Sequence, residues 1–104
     1  MRLGLIADIH ANHAALAAIL DALRRHDVDE LVCLGDIVGY NAEPDACVAL
    51  LRGATDRVIL GNHDLAVLRG EVAGGTNAIA RAAVAWTRAN ISPESLAYLA
   101  GLLF

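Results

Sequence analysis

Short apolar runs alternate with segments of helical periodicity through the first half of the chain. The runs have the length of buried strands and lie at residues 2–7, 30–34 and 57–60. Between the first two, apolar side chains recur at i, i+3, i+4 and i+7, the spacing of one helix face. These positions are Leu16, Ile19, Leu20 and Leu23. The pattern predicts strand, helix, strand, helix, strand.

Capping and breaking residues indicate where the helices begin and end. Asn12 is a plausible N-cap for a first helix that ends at Arg24 and Arg25, whose charges suit a helix C-terminus. Pro44 fits the first position of a second helix that runs to Arg52 and stops at Gly53. The remainder is predicted to be helical, with segments at 77–89 and from Ser92 onward, and a loop at Gly70–Gly75 precedes the first of these segments. The last helix carries Leu96, Leu99, Leu102 and Leu103.

Apolar strands that alternate with amphipathic helices are typical of an α/β fold. Such units form parallel β-strands joined by right-handed βαβ crossovers. With 104 residues, the chain is long enough for one small domain. Hydrophobic residues make up 57% of it before the 9 glycines are counted, against about 45–50% with glycine included in ordinary domains. We therefore expect either a homo-oligomer or part of a larger domain, since the apolar excess needs cover.

Charge and cysteine content exclude several classes of protein. The net charge is −4, and all eight basic residues are arginines without a cluster, so nucleic acid is not expected as a partner except as a phosphodiester substrate. No apolar run is long enough for a membrane span or a secretory signal, and we expect a cytoplasmic protein. Buried thiols are favoured over a disulfide for Cys33 and Cys47.

Polar clusters follow all three predicted strands. They are Asp8-Ile9-His10, Gly35-Asp36 and Gly61-Asn62-His63-Asp64. Asp8 and Asp36 are 28 residues apart, and Asp36 and Asn62 are 26 apart, each close to one βαβ unit. The clusters are therefore expected at the carboxyl edge of one parallel sheet, where such sheets bind ligands. So many carboxylate, imidazole and amide groups at one edge favour a divalent metal.

Simpler interpretations exist for each cluster taken alone. A single Asp after a strand is commonly a turn or a cap, and Gly-Asn is a common turn pair. His13 and His26 lie on or beside the first helix, and we expect them to be surface residues. A dinucleotide site is excluded, because no Gly-x-Gly-x-x-Gly follows the first strand, and the absence of lysine excludes a phosphate-binding P-loop.

The three motifs, in this order and spacing, resemble those of the calcineurin-like metallophosphoesterases. Asp8-Ile9-His10-Ala11-Asn12 and Gly35-Asp36-Ile37-Val38-Gly39-Tyr40-Asn41 are similar in particular to its small prokaryotic branch. The resemblance implies half of a four-layer αββα sandwich. It also implies that residues 1–104 form the N-terminal part of a single metallophosphoesterase domain whose C-terminal half is absent.

The resemblance further implies a role for each residue of the motifs. Two divalent metal ions, Mn²⁺ first and Fe or Zn as alternatives, would lie about 3.5–4 Å apart. Asp8 and His10 would bind the first ion, Asp36 would bridge both, and Asn62 would bind the second through its side-chain oxygen. His63 would protonate the leaving oxygen or hydrogen-bond a phosphate oxygen, with a metal-bound hydroxide as nucleophile. Asp64 is expected to have a structural role.

Two departures from the family pattern limit the functional prediction. Gly39-Tyr40-Asn41 replaces the Asp and Arg of the protein-phosphatase branch, which argues against a Ser/Thr protein phosphatase; Asn41 could still contact a phosphate oxygen. The family's later His ligands have no counterpart, since no His follows residue 64. We therefore expect a dinuclear phosphoesterase acting on a small phosphodiester or phosphomonoester. The alternative is a truncated, non-catalytic metal-binding or interaction half-domain.

Overall fold

The computed structural model describes residues 1–72 and 77–104. Strands and helices alternate in its first half, and helices fill the rest, which confirms the α/β expectation. In chain order the elements are β1 (Leu3–Ile6), α1 (His13–Arg25), β2 (Glu30–Cys33), α2 (Pro44–Ala54), α3 (Asn62–Arg69), α4 (Ala78–Asn90) and α5 (Pro93–Ala100). No helix within the described ranges is long and apolar enough to cross a membrane.

β1 and β2 form a parallel pair in which Leu3 is opposite Glu30 and Ile6 is opposite Cys33. The third predicted strand, at residues 57–60, is reduced to single bridges on its two sides. Its Val58 pairs with Cys33, and Ile59 pairs with Leu103, both in parallel.

A side chain explains why the third strand pairs so briefly with β2. The Thr55 hydroxyl donates to the carbonyl of Leu31 at 2.7 Å, so that acceptor is not used by a backbone N–H of the neighbouring segment. Beyond Cys33 the chain turns away, because Gly35 and Asp36 have positive φ angles of 100° and 57°. The ladder is therefore limited to the bonds on either side of Cys33.

The helix ends follow the predicted caps with two exceptions. The Asn12 side chain accepts the N–H of Ala15 at 3.1 Å, as expected of an N-cap. α2 continues through Gly53 and ends before Thr55, whose backbone is extended. α5 ends at Ala100, so Leu102 and Leu103 are not part of the last helix as predicted.

The loop predicted at Gly70–Gly75 is described only in part. Gly70 ends α3 in the left-handed conformation, with φ 78°, as a helix-terminating glycine commonly does. Residues 73–75 lie outside the described residues.

The helices cover one face of the sheet and form the core with it. The core includes Ile6, Leu16, Leu51, Val67 and Leu99, among others. Cys33 and Cys47 are buried and free, as expected. Burial raises the pKa of both thiols, that of Cys47 to about 11, so they remain protonated at neutral pH.

The opposite face of the sheet is exposed and apolar. The large side chains on it and at the adjoining chain end are Leu3, Leu5, Ile59, Leu103 and Phe104, with exposed fractions from 43% to 79%. On β1 they alternate with buried Gly4 and Ile6. Parallel sheets normally have both faces covered, so this surface is suited to contact with further protein.

Residues 1–104 in isolation are expected to self-associate through this face. Light scattering should give a mass that rises above 10.9 kDa as concentration increases, because association removes apolar surface from water. Leu5→Thr with Ile59→Thr should lower that mass. Ile79→Thr is the control, because Ile79 is 72% exposed but lies on α4. A 10.9 kDa monomer at every concentration would contradict the expectation.

Candidate metal centre

Backbone hydrogen bonds join the loops that follow β1 and β2. The N–H of Asp8 donates to Gly35 O at 3.1 Å, that of His10 to Asp36 O at 2.9 Å, and that of Ala11 to Ile37 O at 2.8 Å. The parallel pairing is thus extended beyond the strands into irregular backbone. This fixes the residues of the first motif relative to those of the second.

The backbone at this edge adopts conformations that side chains rarely take. Asp8, His10 and Asp36 have φ angles of 56°, 47° and 57°, in the left-handed region that favours glycine. Each such residue costs roughly 1–3 kcal/mol, and such residues cluster at functional sites. Three predicted metal ligands are thus among the strained residues; Ala11, Asp27 and Tyr40 also have positive φ.

Two glycines allow the second and third motifs to approach closely. A Cβ on Gly35 would lie 2.5 Å from the backbone nitrogen of Gly61. A Cβ on Gly61 would clash with the backbone nitrogen and the carboxylate of Asp36. Only glycine fits at either position, which explains why both motifs begin with it.

Asp8, His10 and Asp36 each direct one ligand atom to a common point. These atoms all lie within 4.8 Å of one another. The Asp8 side chain is 71% exposed and that of His10 is 20% exposed, so the cluster opens to solvent on the Asp8 side. The structure thus brings these three predicted metal ligands together.

The tautomer of His10 follows from its contacts. Its Nδ1 lies 3.2 Å from the carbonyl oxygen of Val38, and since a carbonyl only accepts, Nδ1 carries a proton. In the neutral ring Nε2 then has a free lone pair, and it lies 3.6 Å from Asp8 Oδ1. A backbone carbonyl on the other ring nitrogen is the usual arrangement of a metal-binding histidine.

Asn62, the fourth predicted ligand, is in contact with Asp36. One atom of its amide group lies 3.2 Å and 3.1 Å from the two carboxylate oxygens of Asp36. If that atom is nitrogen, Asn62 donates hydrogen bonds to Asp36. If it is oxygen, the two groups repel each other unless a cation lies between them. The hydrogen-bonding pattern favours nitrogen at this position. A half-turn of the amide group would present its oxygen instead, and two carboxylates, an imidazole and an amide oxygen are a donor set that fits a divalent cation.

His63 is placed by the start of α3. Its backbone N–H donates to Asp36 Oδ1 at 2.9 Å, and its half-buried ring lies 4.9 Å from that of His10, centroid to centroid. Its predicted proximity to the metal ligands therefore agrees with the geometry.

Asp64 is fully buried and joins the second motif to the third. Its Oδ1 accepts the N–H groups of Ile37 and Val38 at 2.9 Å and 3.0 Å, and Oδ2 accepts that of Gly61 at 3.0 Å. Burial raises the pKa of the carboxyl, and the hydrogen bonds from the backbone partly oppose this. These contacts support the structural role expected from the sequence.

A small cavity of about 190 Å³ adjoins the cluster, with Asp8, His10 and Asn41 among its lining residues. Asn41 is thus near the ligands, as its predicted phosphate contact requires.

A larger cavity of about 540 Å³ lies between α1 and α2, but its lining contains none of the predicted site residues. His13 and His26 are not in the metal cluster.

Tyr40 belongs to the site, although no role is predicted for it from the sequence. Its ring centroid lies 5.1 Å from that of His10 and 4.7 Å from that of His63. The sequence feature that could have indicated Tyr40 is its position directly after Gly39 in the second motif, where the sequence departs from the protein-phosphatase pattern.

Comparison with known proteins agrees with this geometry. The family described as calcineurin-like phosphoesterase matches residues 1–99. The chain is 39% identical over 100 residues to the "Uncharacterized protein MJ0912" of Methanocaldococcus jannaschii, covering 96% of this chain and 41% of that protein. A crystal structure of a metallophosphoesterase from Sphaerobacter thermophilus is 41% identical with a TM-score of 0.78, covering 98% of this chain and 41% of that one.

The chain therefore spans about 41% of the length of the relatives that it matches. Its α/β structure with parallel strands is compatible with the N-terminal half of a metallophosphoesterase fold. The family is metal-dependent and acts on phosphoester substrates, which agrees with the ligand cluster at the sheet edge. The chain belongs to the calcineurin-like phosphoesterase family.

Proposed function

We propose that this chain supplies the N-terminal part of a dinuclear phosphoesterase that hydrolyses a small phosphodiester or phosphomonoester. The observation that carries the proposal is the convergence of ligand atoms from Asp8, His10 and Asp36 within 4.8 Å. Turns or caps explain this convergence poorly, because neither requires ligand atoms from two separate loops to lie so close together.

Each ligand is suited to its proposed place. His10 presents Nε2, because its Nδ1 is occupied by Val38 O, and Asp8 supplies an exposed carboxylate beside it. Asp36 lies between this pair and Asn62, so it is the residue that could bridge two cations. Mn²⁺ is the first choice for an oxygen-rich set with imidazole, with Fe and Zn as alternatives. When bound, the cations would lower the pKa of water and neutralise charge on the phosphoryl oxygens.

His63 is proposed as the catalytic proton donor. The hydrogen bond from its backbone to Asp36 places the imidazole beside the metal ligands. Histidine is the side chain most often used for general acid–base catalysis, so His63 is suited to give a proton to the leaving oxygen of the ester. Its alternative role is a hydrogen bond to a phosphate oxygen.

The complete domain is proposed to be longer than residues 1–104. The share of 41% in two relatives and the exposed apolar sheet face both support this. The remaining His ligands would then come from the further part of the domain.

A non-catalytic half-domain remains the second candidate, because Asp8, His10, Asp36 and Asn62 alone provide few contacts for two ions. The two free buried thiols are typical of a reducing, cytoplasmic environment.

Calorimetric titration of Mn²⁺ into the complete domain tests the proposal. Asp36→Ala should lower affinity by at least about tenfold or reduce the number of ions bound, since loss of even an indirect metal contact costs about 10–100-fold. Asp36→Asn is the second variant, because it can keep the hydrogen bond from His63 while losing the charge. Asp56→Ala, at an exposed position outside the cluster, is the control. Unchanged stoichiometry and affinity in both Asp36 variants would remove its bridging role.

A further inference from the structure

The rings of His10, Tyr40 and His63 form a three-ring cluster beside the metal ligands. Tyr40 and His63 are tilted at 50° with centroids 4.7 Å apart. Tyr40 and His10 meet edge to face at 81°, an arrangement that aromatic rings favour. Tyr40 is 47% exposed, so the three-ring cluster reaches the protein surface at this residue.

The backbone holds Tyr40 in this place at a cost. Tyr40 has a φ of 65° and Gly39 a φ of 96°, and a Cβ on Gly39 would already lie 3.4 Å from the imidazole of His63. The N–H of Asn41 closes the turn by donating to Gly39 O at 2.8 Å. A non-glycine residue in left-handed conformation is uncommon and marks a constraint on the chain.

The two imidazoles differ in how they are held. His10 is fixed by the contact between its Nδ1 and Val38 O. Within residues 1–72 and 77–104 the His63 imidazole makes no such hydrogen bond; it packs against the rings of His10 and Tyr40 and lies near Gly39, while the hydrogen bond to Asp36 comes from the backbone. The orientation of the His63 side chain therefore depends on packing, and the Tyr40 ring is one of the groups that it packs against.

We propose that Tyr40 is a positioning residue that orients the His63 imidazole for proton transfer. The proposal rests on the proposed function, in which His63 protonates the leaving oxygen. A proton donor is effective only within hydrogen-bond reach of its acceptor, and a side chain free to rotate spends little time there. The ring of Tyr40, rather than its hydroxyl, supplies the restriction, because the contacts are between ring faces and edges.

Steady-state hydrolysis by the complete domain with Mn²⁺ tests the activity side of this inference. Tyr40→Leu should lower kcat about tenfold for an alkyl phosphodiester, whose leaving group needs a proton, and by much less for a nitrophenyl ester, with KM nearly unchanged. Tyr40→Phe should retain the wild-type rate. Leucine is chosen because, like tyrosine, it is not β-branched. Trp86→Leu is the matched control, since Trp86 is 44% exposed and lies on α4.

A double-variant cycle separates positioning through His63 from direct contact with the substrate. In a His63→Ala background, Tyr40→Leu should have no further effect on kcat. An additional loss there, or a raised KM with equal effects on both esters, would show that Tyr40 acts on the substrate and would overturn the inference. If His63→Ala itself lacks the leaving-group dependence, the proposed proton donor fails as well.

Nuclear magnetic resonance of the complete domain without metal gives a readout that does not depend on activity. The ring protons of His63 should show a ring-current shift from Tyr40 that is lost in Tyr40→Leu and kept in Tyr40→Phe and Trp86→Leu. The Tyr40→Leu variant should also show averaged His63 side-chain couplings. Unchanged His63 shifts and couplings in Tyr40→Leu would contradict the positioning role even if catalysis were altered.

Discussion

Replacement of His63 by alanine in the complete domain is expected to slow Mn²⁺-dependent hydrolysis of an alkyl phosphodiester by about 10²–10⁴-fold, the usual contribution of a general acid. The loss should be much smaller for a nitrophenyl ester, because nitrophenolate leaves without protonation. The substitution removes only the imidazole, since the hydrogen bond to Asp36 comes from the backbone N–H of His63. The metal cluster itself should therefore remain intact.

Kinetic measurements with the two esters side by side check this expectation. His26→Ala is the matched control, because His26 is exposed and follows α1, and it should leave both rates unchanged. Calorimetric titration of Mn²⁺ into His63→Ala should give the affinity of the unaltered domain. Equal losses with both esters would exclude proton donation and favour a hydrogen bond from His63 to a phosphate oxygen.

Replacement of Asp64 by alanine is expected to lower the free energy of unfolding by about 3 kcal/mol. The variant leaves the N–H groups of Ile37, Val38 and Gly61 without the carboxylate that accepts them. A buried polar group without a partner costs about 1–3 kcal/mol, and relief from burying the carboxyl offsets part of the sum. The loss corresponds to more than 100-fold in the folding equilibrium.

Urea unfolding of the complete domain measures this effect through the shift in midpoint. Asp64→Asn should be less damaging, since its remaining oxygen can still accept. Asp21→Ala is the control: Asp21 forms an exposed i,i+4 pair with Arg25 at 3.4 Å, which contributes little to stability. Equal midpoints for Asp64→Ala and Asp21→Ala would contradict the structural role of Asp64.

Much of the fold could be predicted because local patterns and tertiary packing agree. β1 and β2 coincide with apolar runs, and Asn12 caps α1 as predicted. The weaker predictions concern residues whose environment depends on distant parts of the chain. Ile19 follows the helical period of α1 but is 47% exposed. Periodicity identifies the apolar face of a helix, but it does not show how much of that face other elements cover. The apolar spacing predicts Leu103 in the last helix, but Leu103 pairs with Ile59 instead. A pairing between residues so far apart in the chain cannot be inferred from a local pattern.

The positions of the candidate site residues could also be predicted in part, where the local sequence pattern determines them. Strand ends of a parallel sheet meet at one edge, so the spacing of Asp8, Asp36 and Asn62 was enough to expect them together. The contact of Tyr40 with two imidazoles was not, because it depends on a left-handed turn at Gly39 and Tyr40. The three hydrogen bonds to Asp64 likewise depend on the path of the loop after β2.

The left-handed backbone at Asp8, His10 and Asp36 also restricts how these positions can vary by mutation. Asparagine and glycine tolerate this conformation, whereas β-branched residues such as valine and isoleucine do not. A single-base change from Asp to Asn is therefore the least disruptive route by which the chain can lose a carboxylate. In a saturation library, Asn at these three positions should be the substitution that separates loss of the proposed metal site from loss of the fold.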